Sequence, residues 1–230
     1  MTGPPDRSWT VEHHTGSATG FHRRDLPDPV PRALWWFEVA GPAVVLGSTQ
    51  QVEAVDVGRA RAAGVEVVRR RSGGGAVWLA PGEVTWVDVV LPRHDPLWDD
   101  DVGHAARWLG AAWARALLRA GVAGARPHDG PMAPTADSPL VCFAGLAPGE
   151  VTVGGRKVVG VAQRRTRAGA RFQCAVLHRW DPEPLVDLLA RDPGERTALA
   201  DRLRPVAAGI GPVDSADLVA ALHAELTIHG

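Results

Sequence analysis

The order of short apolar segments is the feature that most constrains the fold of this chain. Two stretches, 34–91 and 150–177, contain short apolar runs separated by glycine and proline turns, which is the pattern of β-strands. Helical spacing of apolar residues marks 99–120 between them and three segments after Asp181. Because strands and helices do not alternate strictly, the pattern predicts an α+β domain, not a doubly wound sheet.

Local punctuation predicts the individual elements. Gly41-Pro42 splits two apolar runs that we expect to form a hairpin or adjacent strands, and Gly154-Gly155 favours a two-residue hairpin turn. Three aspartates at 99–101 favour the start of the longest helix through its dipole. The predicted strands are 34–39, 43–47, 65–69, 76–79, 84–91, 150–153, 157–163 and 171–177. The predicted helices are 56–63, 99–120, 182–190, 194–203 and 215–226, with a loose start at 1–7 and a long loop at 124–139.

Charge and cysteine content exclude several classes of protein. A net charge of -1 with interspersed acids and bases gives no basic face for nucleic acid or a membrane surface. Two cysteines, Cys142 and Cys174, cannot form a disulfide framework and are typical of a reducing compartment. No apolar leader follows Met1. We therefore expect a cytoplasmic protein with no nucleic-acid or membrane partner.

A glycine-rich segment, Arg-Arg-Arg-Ser-Gly-Gly-Gly-Ala-Val at 69–77, is the first candidate binding site. Consecutive glycines let a backbone approach a ligand closely, and their N–H groups can form an anion site. Neighbouring arginines supply paired donors for a phosphate or carboxylate. A flexible turn with solvated arginines is the alternative. No Gly-Lys-Ser/Thr ends the segment, so it is not a Walker loop.

A lysine hairpin is the second candidate. Lys157 begins a predicted strand directly after the turn, and Gly160 leaves space inside that strand for a ligand or another backbone. A lysine at such a place can neutralise a phosphate and polarise an acyl carbonyl. On these residues alone, an exposed lysine at a turn is the more frequent outcome.

Together the two segments resemble the lipoate branch of the biotin/lipoyl protein ligase superfamily. The pattern is Arg-Arg-x-Ser-Gly-Gly-Gly-Ala-Val at 69–77 followed by Gly-Arg-Lys-x-x-Gly-x-Ala at 155–162. The resemblance implies a mixed, largely antiparallel sheet flanked by helices, as in class II aminoacyl-tRNA synthetases. It also implies an N-terminal extension with a first element at 1–30, a catalytic core at 31–180 and a C-terminal helical segment of the same domain at 181–230.

The resemblance further implies an enzyme that attaches lipoyl or octanoyl groups to a lysine of lipoyl-domain proteins. Such acceptors are the E2 subunits of 2-oxoacid dehydrogenases and the H protein of glycine cleavage. A ligase would use ATP and Mg²⁺ to form an acyl-adenylate, with no metal site of its own. Lys157 would contact the acyl carbonyl and α-phosphate. The residues expected to bind the acyl-adenylate are Arg70, Ser72, Gly73, Gly74, Gly75, Ala76, Val77, Trp78 and Gly160.

Cys142 opens a second chemistry. Octanoyltransferases of the family carry a Cys-Phe segment, then a glutamate and then the lysine turn, an order that Cys142, Phe143, Glu150 and Lys157 reproduce. Such an enzyme would need no cofactor and would take its acyl group from an acyl carrier protein. The triple glycine instead favours a ligase, and a buried structural cysteine is the plain alternative.

Two further hypotheses stay open at this point. The family's usual His-Asp pair, serine and His-Gly pair are here Leu79-Ala80, Val161 and Gln173-Cys174, so a non-catalytic acyl- or carrier-binding protein is a third possibility. Trp35, Trp36 and Trp86 either line an acyl tunnel or belong to the core. Cys174, in an apolar strand, is expected to be inert.

Overall fold

Two β-sheets organise the part of the chain that the computed structural model describes, residues 8–189 and 191–229. The predicted loose start at 1–7 lies outside the described residues. A seven-stranded sheet has the order β1-β2-β6-β10-β9-β8-β7, and a three-stranded sheet has the order β4-β3-β5. The strands are β1 (Thr10–Gly16), β2 (Ala33–Val39), β3 (Ala43–Leu46), β4 (Glu66–Arg69), β5 (Val77–Leu79), β6 (Val84–Pro92), β7 (Ala125–Pro127), β8 (Val151–Val153), β9 (Arg156–Arg165) and β10 (Gly169–Leu177).

Pairing within the sheets is mostly antiparallel, and the exceptions are β1 with β2 and β3 with β4. Helices flank the sheets: α1 (Ala18–Arg23), α2 (Val57–Ala62), α3 (Arg107–Arg119), α4 (Glu183–Val186), α5 (Pro193–Leu203) and α6 (Ser215–His229). Short 3-10 turns occupy Val52–Ala54 and Cys142–Ala144. The predicted α+β class with a mixed, largely antiparallel sheet is confirmed. None of the described helices is long and apolar enough to cross a membrane.

Alternation along the central strands separates two layers of the core. Phe172, Cys174 and Val176 of β10 pack with α3 and α6, on one face of the large sheet. Gln173 and Ala175, on the opposite face, look toward the small sheet across a cavity. The space between the two sheets is therefore where a ligand can enter without disturbing the helical layer.

Several sequence expectations need correction. The runs on either side of Gly41-Pro42 do not form a hairpin, because β2 belongs to the large sheet and β3 to the small one. All four β3 residues are buried, so this strand needs a partner on each edge, which β4 and β5 supply. The predicted loop at 124–139 contains β7, which pairs with β8.

The longest predicted helix also begins later than expected. Asp99 and Asp101 accept hydrogen bonds from the backbone N–H groups of Asp101 and Gly103, each at 2.8 Å. Such local side-chain contacts compete with helix formation. The aspartates therefore make turns, and α3 begins only at Arg107. By contrast, the hairpin turn at Gly154-Gly155 is confirmed, with φ values of 57° and 79°. The division into 1–30, 31–180 and 181–230 stays a prediction.

Candidate active site

The glycine loop owes its position to the small sheet. It joins β4 to β5, which lie on either side of β3, so it must cross the end of β3 at Gly47. A β-carbon on Gly47 would lie 1.8 Å from the carbonyl oxygen of Gly74, and one on Gly75 would lie 2.6 Å from the backbone nitrogen of Val141. Gly74 itself has φ +98°, in the left-handed region. Glycine is required at these places because backbones touch there.

Arg70 points inward rather than into solvent. Its guanidinium donates to the carbonyl oxygens of Val45 at 3.1 Å, Gly73 at 2.7 Å and Gly75 at 2.9 Å, so it holds the glycine loop in shape. Burial lowers the pKa of Arg70, and the negative charge of a Cys142 thiolate opposes that shift. Arg70 therefore places a positive charge beside Cys142.

Lys157 is buried next to the turn that carries Cys142. Its Nζ lies 2.7 Å from Oε2 of Glu150 and donates to the carbonyl oxygens of Cys142 at 3.0 Å and Gly145 at 3.1 Å. Nζ also lies 4.9 Å from the centroid of the Phe143 ring. Lys157 therefore fixes the short turn that carries Cys142, and it is not the exposed turn residue that its sequence context favours.

Glu150 completes this arrangement. Its carboxylate accepts hydrogen bonds from the backbone N–H of Ala147 at 2.8 Å and of Val161 at 3.1 Å, in addition to pairing with Lys157. These three donors satisfy the buried carboxylate. The pair thus keeps a fixed ammonium under the Cys142 turn.

Two cavities meet at Cys142. An inner cavity lies between the sheets, and its walls are mostly apolar. A larger groove runs along the glycine loop and Lys157. Cys142, Val161 and Ala162 line both spaces. Cys142 is partly exposed, and a β-carbon on Gly74 would lie 3.7 Å from its Sγ. The thiol therefore stands at the neck between an apolar chamber and an open groove.

The glycine loop offers unpaired donors at this neck. In the described part of the chain, the backbone N–H groups of Gly73, Gly74 and Gly75 donate no hydrogen bond. All three glycines line the groove, close to the thiol. Fixed backbone donors of this kind stabilise the oxyanion that forms when a carbonyl is attacked.

Most of the predicted site residues come together here, but not all. Arg70, Val77 and Gly160 line the inner cavity, and Gly73, Gly74, Gly75 and Lys157 line the groove. Gly160 leaves the room that the sequence indicated, since a β-carbon there would lie 3.1 Å from Cζ of Phe143.

Three predicted residues lie elsewhere. Ser72 is buried behind the loop, where its hydroxyl donates to Oε1 of Gln173 at 2.7 Å. The carbonyl oxygen of Ala76 accepts a hydrogen bond from the backbone N–H of Cys142 at 2.9 Å and so helps to hold Cys142 in position. Trp78 points away and donates to Glu83 at 3.1 Å, beside a separate cavity. Val77 and Leu79 reach the inner cavity from one face of β5, whereas Trp78 lies between them on the strand and lines only the separate cavity.

Sequence reasoning missed His22 and the part that Gln173 plays. Both line the inner cavity, as does Trp86, whereas Trp35 is core and Trp36 lies near the surface. Burial, reinforced by the charges of Arg171 and Arg70, lowers the pKa of His22 to about 3. No local signal marks His22, because it reaches the cavity from α1, far away in the chain.

The remaining candidates carry no chemistry. Burial raises the pKa of the Cys174 thiol, which keeps this residue protonated and inert. Among the described residues, no three His, Cys, Asp or Glu side chains are grouped to hold a metal ion.

Comparison with known proteins bears on this geometry. The family model described as the lipoyl protein ligase A/B catalytic domain matches residues 21–216. A relative named octanoyltransferase LipM from Kyrpidia tusciae is 34% identical over 187 residues, covering 80% of this chain and 65% of the relative. A second octanoyltransferase LipM, from Moorella thermoacetica, is 34% identical over 149 residues, covering 63% of this chain and 51% of its own length. The chain thus spans about half to two thirds of the curated relatives that it matches.

Solved structures share the fold. A bipartite lipoate protein ligase from Thermoplasma acidophilum aligns with a TM-score of 0.73 at 20% identity, covering 96% of this chain and 82% of that one. Lipoate-protein ligase A bound with ATP aligns with a TM-score of 0.69 at 20% identity, covering 96% and 84%. The match of the family model over most of the chain decides the classification: this protein belongs to the family of lipoyl protein ligase A/B catalytic domains.

Proposed function

We propose that this protein transfers an octanoyl or lipoyl group to a lysine of a lipoyl domain through a thioester on Cys142. The observation that carries the proposal is the place of Cys142, at the neck between the apolar inner cavity and the open groove. A thiol at that junction can hold an acyl chain inside the protein while its carbonyl carbon faces the groove, where an incoming amine would arrive.

The two steps are acyl transfers that need no other reactant. The Cys142 thiolate attacks the thioester of a carrier, the new C–S bond forms, and the carrier leaves as a thiolate that takes up a proton. The acceptor amine then attacks the acyl-enzyme carbonyl. The C–S bond breaks, an amide forms, and the proton of the amine returns to the sulfur of Cys142.

The surrounding charges suit these steps. Arg70 lies beside the Cys142 side chain, and Lys157 is fixed beneath the same turn. Both cations can stabilise the negative charge that the sulfur carries when it attacks or leaves. The free N–H groups of Gly73, Gly74 and Gly75 can accept the negative charge that develops on the carbonyl oxygen in both steps.

An ATP-dependent ligase is the second candidate, because the glycine loop and the size of the groove leave room for an acyl-adenylate. The groove fits a nucleotide poorly, however. Of its lining residues in the described ranges, Lys157 is the only cation, and its donors already have acceptors. Arg70 is folded back on the loop, and Arg71 pairs with Asp25. Triphosphate and Mg²⁺ would find little charge here, which favours the transferase.

The biological setting follows from the same proposal. The acceptors would be lipoyl domains of 2-oxoacid dehydrogenase E2 subunits or the glycine cleavage H protein, and the donor an acyl carrier protein. Two cysteines that form no disulfide are typical of a reducing compartment, so we propose a cytoplasmic location. The relatives named octanoyltransferase LipM support this choice of chemistry.

Intact-mass measurement tests the proposal. The protein is incubated with octanoyl-carrier protein, or with octanoate and Mg-ATP, in the presence of a lipoyl domain. We expect a hydroxylamine-labile octanoyl adduct from the carrier that disappears in Cys142→Ala and persists in Cys174→Ala. Acceptor labelling that requires ATP and survives Cys142→Ala would establish the ligase instead. If neither donor labels either protein, the chain is a binding protein.

A further inference from the structure

A line of polar side chains ends at the inner cavity. The Ser72 hydroxyl donates to Oε1 of Gln173 at 2.7 Å, and Nε2 of Gln173 lies 3.0 Å from Nδ1 of His22. Gln173 also lies near Asp88, which forms a buried ion pair with Arg171. Gln173 and His22 themselves line the cavity.

These contacts fix the proton on His22. The Ser72 hydroxyl donates to the amide oxygen of Gln173, so the NH₂ group of that amide faces Nδ1 of His22. An NH₂ group can only donate, so Nδ1 accepts its hydrogen bond and carries no proton. Since the ring is neutral, its proton sits on Nε2.

The Nε2–H group of His22 has no acceptor among the described residues. The residue is only 8% exposed, its ring packs 4.6 Å from that of Trp86, and it lines the inner cavity. Buried donors are normally paired, because an unpaired one loses its hydrogen bonds to water. A donor left free in an otherwise apolar chamber points to a ligand atom that accepts it.

The position of this donor along an acyl chain can be estimated. Gly160, Ala175 and Trp86 form one row across β9, β10 and β6. Trp86 therefore lies two strand spacings, roughly 10 Å, from Gly160. Gly160 adjoins the Phe143 ring next to Cys142. With C–C bonds of about 1.5 Å, shortened by their zigzag, a chain of roughly eight carbons spans this distance.

We propose that His22 selects acyl groups that carry a hydrogen-bond acceptor near their distal end, such as an oxo oxygen or a dithiolane sulfur, over plain alkyl chains. This specificity rests on the proposed acyl-transfer function, which it deepens. An unsubstituted octanoyl chain fills the cavity but leaves Nε2–H buried and unpaired, whereas an acceptor atom satisfies it.

Paired donors that differ only at one distal carbon test the proposal. The rate of Cys142 thioester formation is measured with 7-oxooctanoyl and octanoyl carrier protein. In the wild-type protein kcat/KM should favour the oxo donor roughly tenfold, the effect of one hydrogen bond to a buried donor. His22→Phe should abolish this preference, and His22→Gln, which keeps an N–H donor, should restore part of it. His104→Phe, at an exposed histidine, serves as the matched control and should keep the tenfold ratio.

Other outcomes overturn the inference. Equal rates with the two donors in the wild-type protein would do so, as would a preference that survives His22→Phe. If no donor acylates the protein, the transferase proposal fails, and the specificity is then decided by calorimetry with free 7-oxooctanoic and octanoic acids. A wild-type preference for the oxo acid that His22→Phe removes would still support a role for His22 in binding, and equal affinities would reject it.

Discussion

Two buried ion pairs lie within the same sheet but serve different parts of the molecule. Lys157–Glu150 and Arg171–Asp88 are both at most 3% exposed. Arg171 also donates to the carbonyl oxygens of Phe21 and Arg24, at the end of α1, so this pair fastens a helix to the sheet. Lys157 instead donates to the turn that carries the thiol and lines the groove.

The difference shows that burial of charge does not by itself mark a functional site. Each pair takes ions out of water, and each is stabilised by surrounding hydrogen bonds. What distinguishes Lys157 is that its partners form the wall of a cavity, where a substrate can change them. Arg171 is surrounded by fixed protein groups. The two pairs should therefore differ in how their replacement affects the rate of acyl transfer.

Neutral replacement of each pair should affect activity very differently. In Lys157→Met/Glu150→Gln we expect thioester formation to fall about 1000-fold, roughly 4 kcal/mol of transition-state stabilisation, because the cation beneath Cys142 is gone. The matched double variant Arg171→Met/Asp88→Asn should stay within about tenfold of the wild-type rate. Rapid-quench mass measurement gives both rates. Equal losses in the two variants would remove the distinction between the pairs.

Removing only the cation of the Arg171–Asp88 pair should lower the free energy of unfolding. Arg171→Met leaves the carboxylate of Asp88 buried without its cation, and we expect the free energy of unfolding to fall by about 3–4 kcal/mol. Asp88 keeps its hydrogen bond from Nε1 of Trp86 at 2.7 Å, which limits the loss. Urea unfolding measures the change. Adding Asp88→Asn should recover part of the stability, and a further loss would contradict this account.

Acid should destabilise the region that Arg171 anchors. The pKa of His22 is about 3 in the folded protein, below its usual value near 6.5, so the unfolded chain takes up a proton first as pH falls. Stability from neutral His22 is present above about pH 6.5 and decreases below it, by about 3 kcal/mol at pH 4. The measurement compares the pH dependence of unfolding in wild type and His22→Phe. Parallel curves would show that His22 titrates normally.

The smallest effect is expected at the mouth of the inner cavity. A methyl group at Gly160 would lie 3.1 Å from Cζ of Phe143 and 3.3 Å from Cε of Lys157, so both side chains must shift. Gly160→Ala should cost about 1 kcal/mol of stability and raise KM for octanoyl donors a few-fold. Steady-state kinetics and thermal unfolding measure these changes. An unchanged KM would mean that the acyl chain does not pass Gly160.

Much of the site could be predicted from local sequence patterns. The glycine loop and the lysine hairpin are contiguous segments, and their own residues indicate the backbone conformations that they adopt. The contact between His22 and Gln173 joins residues 151 positions apart and leaves no local trace. The separation of β2 from β3 likewise depends on partners elsewhere, and the turns at Asp99 and Asp101 depend on competition between side-chain and helical hydrogen bonds. A contiguous motif likewise does not convey that Trp78 lies on the other face of β5 from Val77 and Leu79.

The neck at Cys142 has a consequence for the lifetime of an acylated enzyme. We expect an acyl chain that extends from the sulfur into the inner cavity to displace water from that side of the thioester. Water would then reach the thioester mainly from the groove side. We expect spontaneous hydrolysis of the thioester to slow as the acyl chain lengthens, so that the acyl-enzyme persists until its acceptor arrives. The bound acyl chain would thus protect its own thioester from hydrolysis.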